Sequence, residues 1–306
     1  MTLSDPAYEQ RRLRLIGVAL MCGAVLCFAL LDAMAKYLAG HMDPLQVAGM
    51  RFVTAFVVAL MFSNPLTRPG LLKTGQPGLQ FLRGLMLVAT TILNFLAFRY
   101  LQLDEALAIL FSTPFLVAIA AGPLLGEWVG WRRWTAIGVG FAGVLVVIRP
   151  GLGGGMQWAA LFSVGAAIFY AAYGIATRMV SRTDPSETTL FYGNLVAVCV
   201  MAPLLPFVWQ GPLSARDLTL LVAVGALGSA GHYLLIAAHR RAPASVLSPF
   251  MYTQLVWATT LGFLVFGDVP TQWTLAGGAI VVASGLYLIH RERKVTGRVV
   301  APVEPG

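Results

Sequence analysis

Asp32 and Lys36 stand four residues apart inside an otherwise apolar run, Leu15–Tyr37, and on a helix that spacing puts both on one face. Of thirteen acidic residues, Asp32 is the one well inside such a run. Ionisable groups in hydrocarbon are costly, so they pair, face a cavity, or do both. Two readings follow. Asp32 meets the ammonium of a solute, or it neutralises Lys36, whose stem snorkels outward. Lys36 beside the one embedded carboxylate argues against proton coupling and for gradient-driven movement. Asn94 and Gln254 bring amides into two further apolar runs, where such groups bind a zwitterion or bridge two helices. Trp257 follows Gln254 by three residues and is expected on its face, with Tyr252 close by; these and Tyr173 make candidate aromatic walls for a partly apolar solute. His232 and His239 share a helical face, but no Cys, Asp or Glu on that run completes a metal set. His232 reads instead as a cavity donor, acceptor or switch. Pro114 falls mid-run and frees the carbonyl of Leu110, as a hinge or as a tolerated kink.

No residue set for covalent chemistry accompanies these groups. The sequence holds no H-E-x-x-H, no G-x-S-x-G and no paired carboxylate within one run. Gly138-Val-Gly140-Phe-Ala-Gly143 spells a dinucleotide fingerprint, yet it follows no strand and has no acid about 20 residues on. Small residues for close helix packing explain it better. Gly151–Gly155 lacks the Gly-Lys-Ser/Thr ending of a phosphate loop. No catalytic residue, cofactor, metal or ATPase partner is therefore expected.

The elements that must position these residues are membrane helices. Of 306 residues, 58% are apolar and only 11% charged, where soluble domains carry roughly 25% charged. Ten runs emerge between Pro, Gly and charged punctuation, each long enough for a helix to cross about 30 Å of hydrocarbon. Sixteen of the 21 Lys and Arg fall in segments on one side, Arg83 among them. The other side holds Lys36, Arg51, Arg99, Arg149 and Arg216. Positive charge stays cytoplasmic, so both termini are expected in the cytoplasm of a multi-pass cell-membrane protein. The net charge of +8 then belongs to loops facing anionic lipid headgroups, not to a nucleic-acid surface.

A shift of 141 residues carries Phe28 onto Phe169, Asp32 onto Tyr173, Asp43-Pro44 onto Asp184-Pro185 and Gly126-Glu127 onto Gly267-Asp268. Five runs per half, an odd number, enter the membrane in opposite senses, a recurrent transporter plan with its site near the midplane. The expected fold is all-α, with ten transmembrane helices as two inverted five-helix repeats. Residues 1–14 form a cytoplasmic tail, 15–149 the first repeat, 150–156 a Gly-rich joint, 157–290 the second repeat and 291–306 a basic tail.

Pro44 and Arg51, Gly126-Glu127, Trp134 through Gly143, Arg241-Ala-Pro-Ala-Ser245, Gly267-Asp268 and Gly277-Gly278 through Gly285 resemble the drug/metabolite transporter superfamily in its ten-span form with two EamA-type repeats. Among its members the chain looks most like amino-acid exporters, including those for aromatic amino acids. The resemblance implies that spans 1, 3, 4, 6, 8 and 9 line a central cavity, with spans 5 and 10 peripheral. The expected function is export of a small-molecule substrate, an apolar or aromatic amino acid or a related metabolite, by alternating access. Multidrug export is the nearest alternative, and an integral-membrane enzyme acting on lipid headgroups the alternative of a different class.

Overall fold

The computed structural model describes residues 6–62, 65–126, 130–149, 157–211, 213–242 and 244–299; the Gly-rich joint, Glu127 and Trp128 lie outside them. The described residues form helices and connecting turns, with no strand. In chain order they are α1 (Pro6–Ala39), α2 (Pro44–Phe62), α3 (Pro77–Tyr100), α4 (Leu103–Leu110), α5 (Thr113–Leu125), α6 (Trp131–Ile148) and α7 (Ala160–Val180). There follow α8 (Ser186–Met201), α9 (Leu205–Val208), α10 (Ala215–His239), α11 (Ala244–Met251), α12 (Thr253–Leu261) and α13 (Gln272–Val299). Pro44 and Pro77 open α2 and α3 at the first helical position, where the missing N–H costs nothing. The outer helices run past the expected spans: residues 6–14 continue α1, and residues 291–299 continue α13.

Seven helical stretches are long and apolar enough to cross a bilayer, and two shorter apolar helices, Trp134–Ile148 and Gln272–Leu288, accompany them. The expected seventh span, 189–208, is cut short. Pro203 and Pro206 each remove an N–H and crowd a preceding carbonyl, so α8 ends at Met201 and only α9 resumes. Sixteen residues of α8 rise about 24 Å, short of the hydrocarbon thickness.

Two other expected spans are broken near the middle, and in matching places. The first gives way at Phe111-Ser112, between α4 and α5, and the second at Tyr252, between α11 and α12. Pro114 in one and Pro249 in the other remove a backbone donor. A threonine hydroxyl then takes a carbonyl at each break, Thr113 Oγ1 donating to Leu110 O and Thr253 Oγ1 to Phe250 O, both at 2.6 Å. Both broken rods end on glycines in the left-handed region, Gly126 (φ 75°) and Gly267 (φ 70°).

Packing across the two halves comes in reciprocal pairs. α1 lies along α10 as α3 lies along α7, α2 meets α10 as α3 meets α8, and α1 meets α12 as α7 meets α5. The two shorter apolar helices pack on each other. A Cβ at Gly143 would stand 2.9 Å from Gly277 O, and one at Gly277 2.6 Å from Gly143 O, so the G-x-G-x-x-G stretch is a helix-crossing surface. Small residues allow that approach where lipid supplies no hydrophobic drive. The perimeter is apolar, with Met61, Phe81, Leu161, Phe263 and Leu264 all exposed, as a lipid-facing surface requires.

Candidate solute-binding site

A cavity of about 430 Å³ lies between the halves. Four register-matched pairs of positions contribute to its wall: Asp32 with Tyr173, Thr91 with His232, Leu110 with Met251, and Thr113 with Gln254. Spans 2 and 10, absent from the expected lining, add Arg51 and Leu288.

Asp32 is buried on α1 and accepts from Gln254 Nε2 at 3.0 Å. It does not pair with Lys36. That side chain turns to the end of the bundle, where its ammonium donates to Asp268 Oδ2 at 2.7 Å and Leu101 O at 3.0 Å and lies over the Phe266 ring. One helical turn separates the two residues, and the lysine stem is long enough to reach a second acid. The expected Asp32–Lys36 pair is corrected accordingly, and with it the reasoning against proton coupling. Asp104 is buried at the same end of the bundle, at the start of α4.

The charge that answers Asp32 is Arg51. The two feel each other electrostatically with no direct ion pair between them. Arg51 donates to Thr91 Oγ1 at 2.6 Å and lies over the rings of Phe52 and Phe95. Charge counting places Arg51 on the non-cytoplasmic side, yet it sits seven residues beyond Pro44, roughly 10 Å along α2. That depth was the available signal.

Arg83, counted on the cytoplasmic side, is interior too, at 2% exposure. Its guanidinium donates to Thr177 Oγ1 (2.8 Å), Thr189 O (2.8 Å) and the Tyr173 hydroxyl (2.9 Å), tying α3 to α7 and α8. Its carboxylate-free shell is satisfied by neutral oxygens, which fix the Tyr173 ring at the cavity wall. Tyr170, one turn earlier, stacks parallel to Tyr173 with centroids 5.9 Å apart.

Asn94 is buried on the wall, and its carbonyl oxygen has no partner among the described residues. A buried acceptor left open costs free energy unless something fills it. His232 lines the cavity edge-on to Phe28 at 5.1 Å, while His239 bonds its own helix at Leu235 O. Pro114 is on the wall beside the break in its rod.

Two candidates lie elsewhere. Tyr252 stands behind the wall, edge-on to the lining Phe111, with an unpartnered hydroxyl. Trp257 is 37% exposed on the outward side of α12. Three residues advance a helix by about 300°, so it lies some 60° round from Gln254, enough to leave the wall.

An all-helical bundle with an apolar perimeter, broken central rods and a charged, aromatic cavity of solute size defines a polytopic membrane protein built around a small-molecule passage. The EamA-like transporter family model matches the chain twice, over residues 15–149 and 157–290. The chain belongs to the EamA-like transporter family. It is 29% identical over 267 residues to an S-adenosylmethionine uptake transporter of Rickettsia felis, covering 87% of this chain and 90% of that protein. It is 30% identical over 285 residues to a riboflavin transporter of Vibrio cholerae (92% and 95%). A pseudopaline exporter of Pseudomonas aeruginosa is 25% identical over 279 residues (90% and 97%). A solved crystal structure superposes with a TM-score of 0.62 at 18% identity, covering 91% of this chain and 98% of the other, which shows the shared fold.

Proposed function

We propose that the protein is a secondary transporter whose solute carries a charged, zwitterionic head on a flat aromatic or apolar body. Aromatic amino acids and amino acids bearing a nucleobase are its leading members. The observation that carries this reading is the pairing of Asp32 and Arg51 in one cavity, each with a neutral partner and neither spent on a direct ion pair. A carboxylate and a guanidinium so placed meet an ammonium and a carboxylate at once, and bidentate capture suits the guanidinium. The open carbonyl of Asn94 adds a third anchor. Phe28, Phe95, Phe111, Tyr170 and Tyr173 supply apolar, stackable surface. Relatives named for S-adenosylmethionine and riboflavin support a solute with such a ring; amino-acid export is the member of this class that the sequence favours.

In this reading the two halves are inverted copies that rock about the cavity, with the breaks at Phe111-Ser112 and Tyr252 as hinges. Reciprocal packing and the register-matched wall support it. The loop arginines support a cytoplasmic position for the end carrying Arg178 and both termini.

Proteoliposomes loaded separately with radiolabelled tryptophan, phenylalanine, S-adenosylmethionine, riboflavin and a cationic dye test the class. Efflux faster than from protein-free vesicles is expected for the amino-acid-headed solutes. Acceleration for the dye alone would replace this reading with multidrug export.

A further inference from the structure

A second, larger cavity of about 950 Å³ lies between α8 and α10, floored by Val58 and Ala59 of α2. It marks where the reciprocity of the fold fails. α2 packs on α3, whereas their register-mates α8 and α10 share no comparable packing. The resulting trough is mostly apolar, with Leu190 and Phe191 on one wall and Ala226 and Ala230 on the other, interrupted by Asn194 and Ser229. Tyr233 on the α10 wall is 72% exposed, so the trough opens sideways onto the perimeter that faces lipid. An unfilled space of that size at membrane depth forfeits packing on every side.

At its mouth the chemistry changes. Arg68, Arg240 and Arg241 stand there against a single acid, Glu187, which lies 3.6 Å from Arg68. Along α10 the trough runs from Ala226 to His239, about 20 Å at helical rise, and ends at the turn carrying Arg240 and Arg241. One leaflet's hydrocarbon is about 15 Å deep, half the bilayer's, so the remaining length spans the headgroup layer. The arginines then sit at phosphate level and the apolar walls alongside the acyl chains.

We propose that this trough is a binding site for one anionic phospholipid of the leaflet on the Arg240 side. The phosphate is held by Arg240 and Arg241 and an acyl chain lies between α8 and α10. Midway along the trough that chain passes His232, which lines both cavities, so lipid occupancy and the solute cavity share a side chain. The site depends only on the helices lying in a bilayer, and it stands whatever solute is carried.

Native mass spectrometry of the full chain in mild detergent, with phosphatidylglycerol or phosphatidylcholine added, tests it. The wild type is expected to retain one phosphatidylglycerol and at least about tenfold less phosphatidylcholine. The double variant Arg240→Gln/Arg241→Gln is expected to lose that preference. Ala230→Trp, which fills the trough and leaves the arginines in place, is expected to lose the retained lipid of either kind. Millimolar glycerol phosphate is expected to displace none, since the acyl chain holds the lipid. Equal retention of the two lipids by the wild type would overturn the proposal even if a variant fails to fold. So would unchanged phosphatidylglycerol retention in Ala230→Trp, or displacement by glycerol phosphate.

Discussion

The two halves of the chain build one cavity from matching positions but furnish it with different chemistry. The first half supplies a carboxylate and a guanidinium, Asp32 and Arg51, with Thr91 beside them; the second places Tyr173, His232 and Gln254 on the wall and has Arg178 as its one charged lining residue. At the register of Asp32 the second half has Tyr173, and at that of Thr91 it has His232. A passage formed by strict copies would treat both ends of a solute alike. Placing the Asp32 and Arg51 charges together in one half instead gives the cavity a direction, so that an asymmetric solute is held one way round.

The sharpest break of that comparison is in the charged half. Asp32→Asn and Arg51→Gln are each expected to reduce solute efflux at least about tenfold, since each strands the opposite charge in a low-dielectric site. Arg51→Lys is expected to recover little, because a point charge does not reproduce the guanidinium fork. Efflux within twofold of wild type in both charge-removing variants would show that the pair is structural.

Next in size is the crossing where the halves meet outside the cavity. Gly277→Val forces a side chain into Gly143 O and Val147 and is expected to cost about 1–3 kcal/mol by overpacking, read as a lower melting temperature in detergent. Unchanged melting would mean that α6 and α13 are free to part.

The uncharged groups of the second half are expected to respond more mildly. Gln254→Ala removes one hydrogen bond to Asp32, about 0.5–1.5 kcal/mol, seen as a roughly two- to tenfold weaker apparent solute affinity. Trp257→Ala, on the outward face, is expected to leave affinity unchanged. A larger effect at Trp257 than at Gln254 would move the wall to the other side of α12.

The smallest effect lies in the loop between α7 and α8. Burial pushes the Asp184 carboxyl up, but hydrogen bonds from Thr74, Gln80 and the Gly75 amide outweigh it and hold the group below its usual 3.8. A depressed folded value means that the stabilisation is present above 3.8 and is lost as pH falls through that lower value. Wild type is expected to lose more melting temperature than Asp184→Asn on acidification from about pH 5 to about pH 3. Parallel losses in the two would show that the loop is held by other contacts.

Local signals in the sequence set most helix limits. The apolar run that the sequence shows from Trp131 to Ile148 coincides with α6, and Pro44 and Pro77 stand at the starts of α2 and α3. Five of the seven proposed substrate contacts, Asp32, Asn94, Tyr173, His232 and Gln254, lie on the cavity wall, because a polar residue inside an apolar run has few other places to go. What escaped was decided by distant partners. Arg51 and Arg83 read only as charges marking a side of the membrane until Thr91, Thr177 and Thr189 are brought to them. Lys36 finds Asp268 across 232 residues of chain. The break at Tyr252 rests on a threonine hydroxyl replacing a backbone bond, and propensity along the strip carries no record of that exchange. Trp257 stands off this wall by rotation alone, since sharing a helical face within about 60° is not sharing a wall.

Solute binding to the purified protein, followed by calorimetry for wild type and for Asp32→Asn, Arg51→Gln and the pair combined, tests the shared role of the two charges most directly. If both grip one solute, each single variant binds at least about tenfold more weakly, and the double variant is little worse than the worse single one, because the two act as a unit. Wild-type affinity retained in either single variant would contradict it.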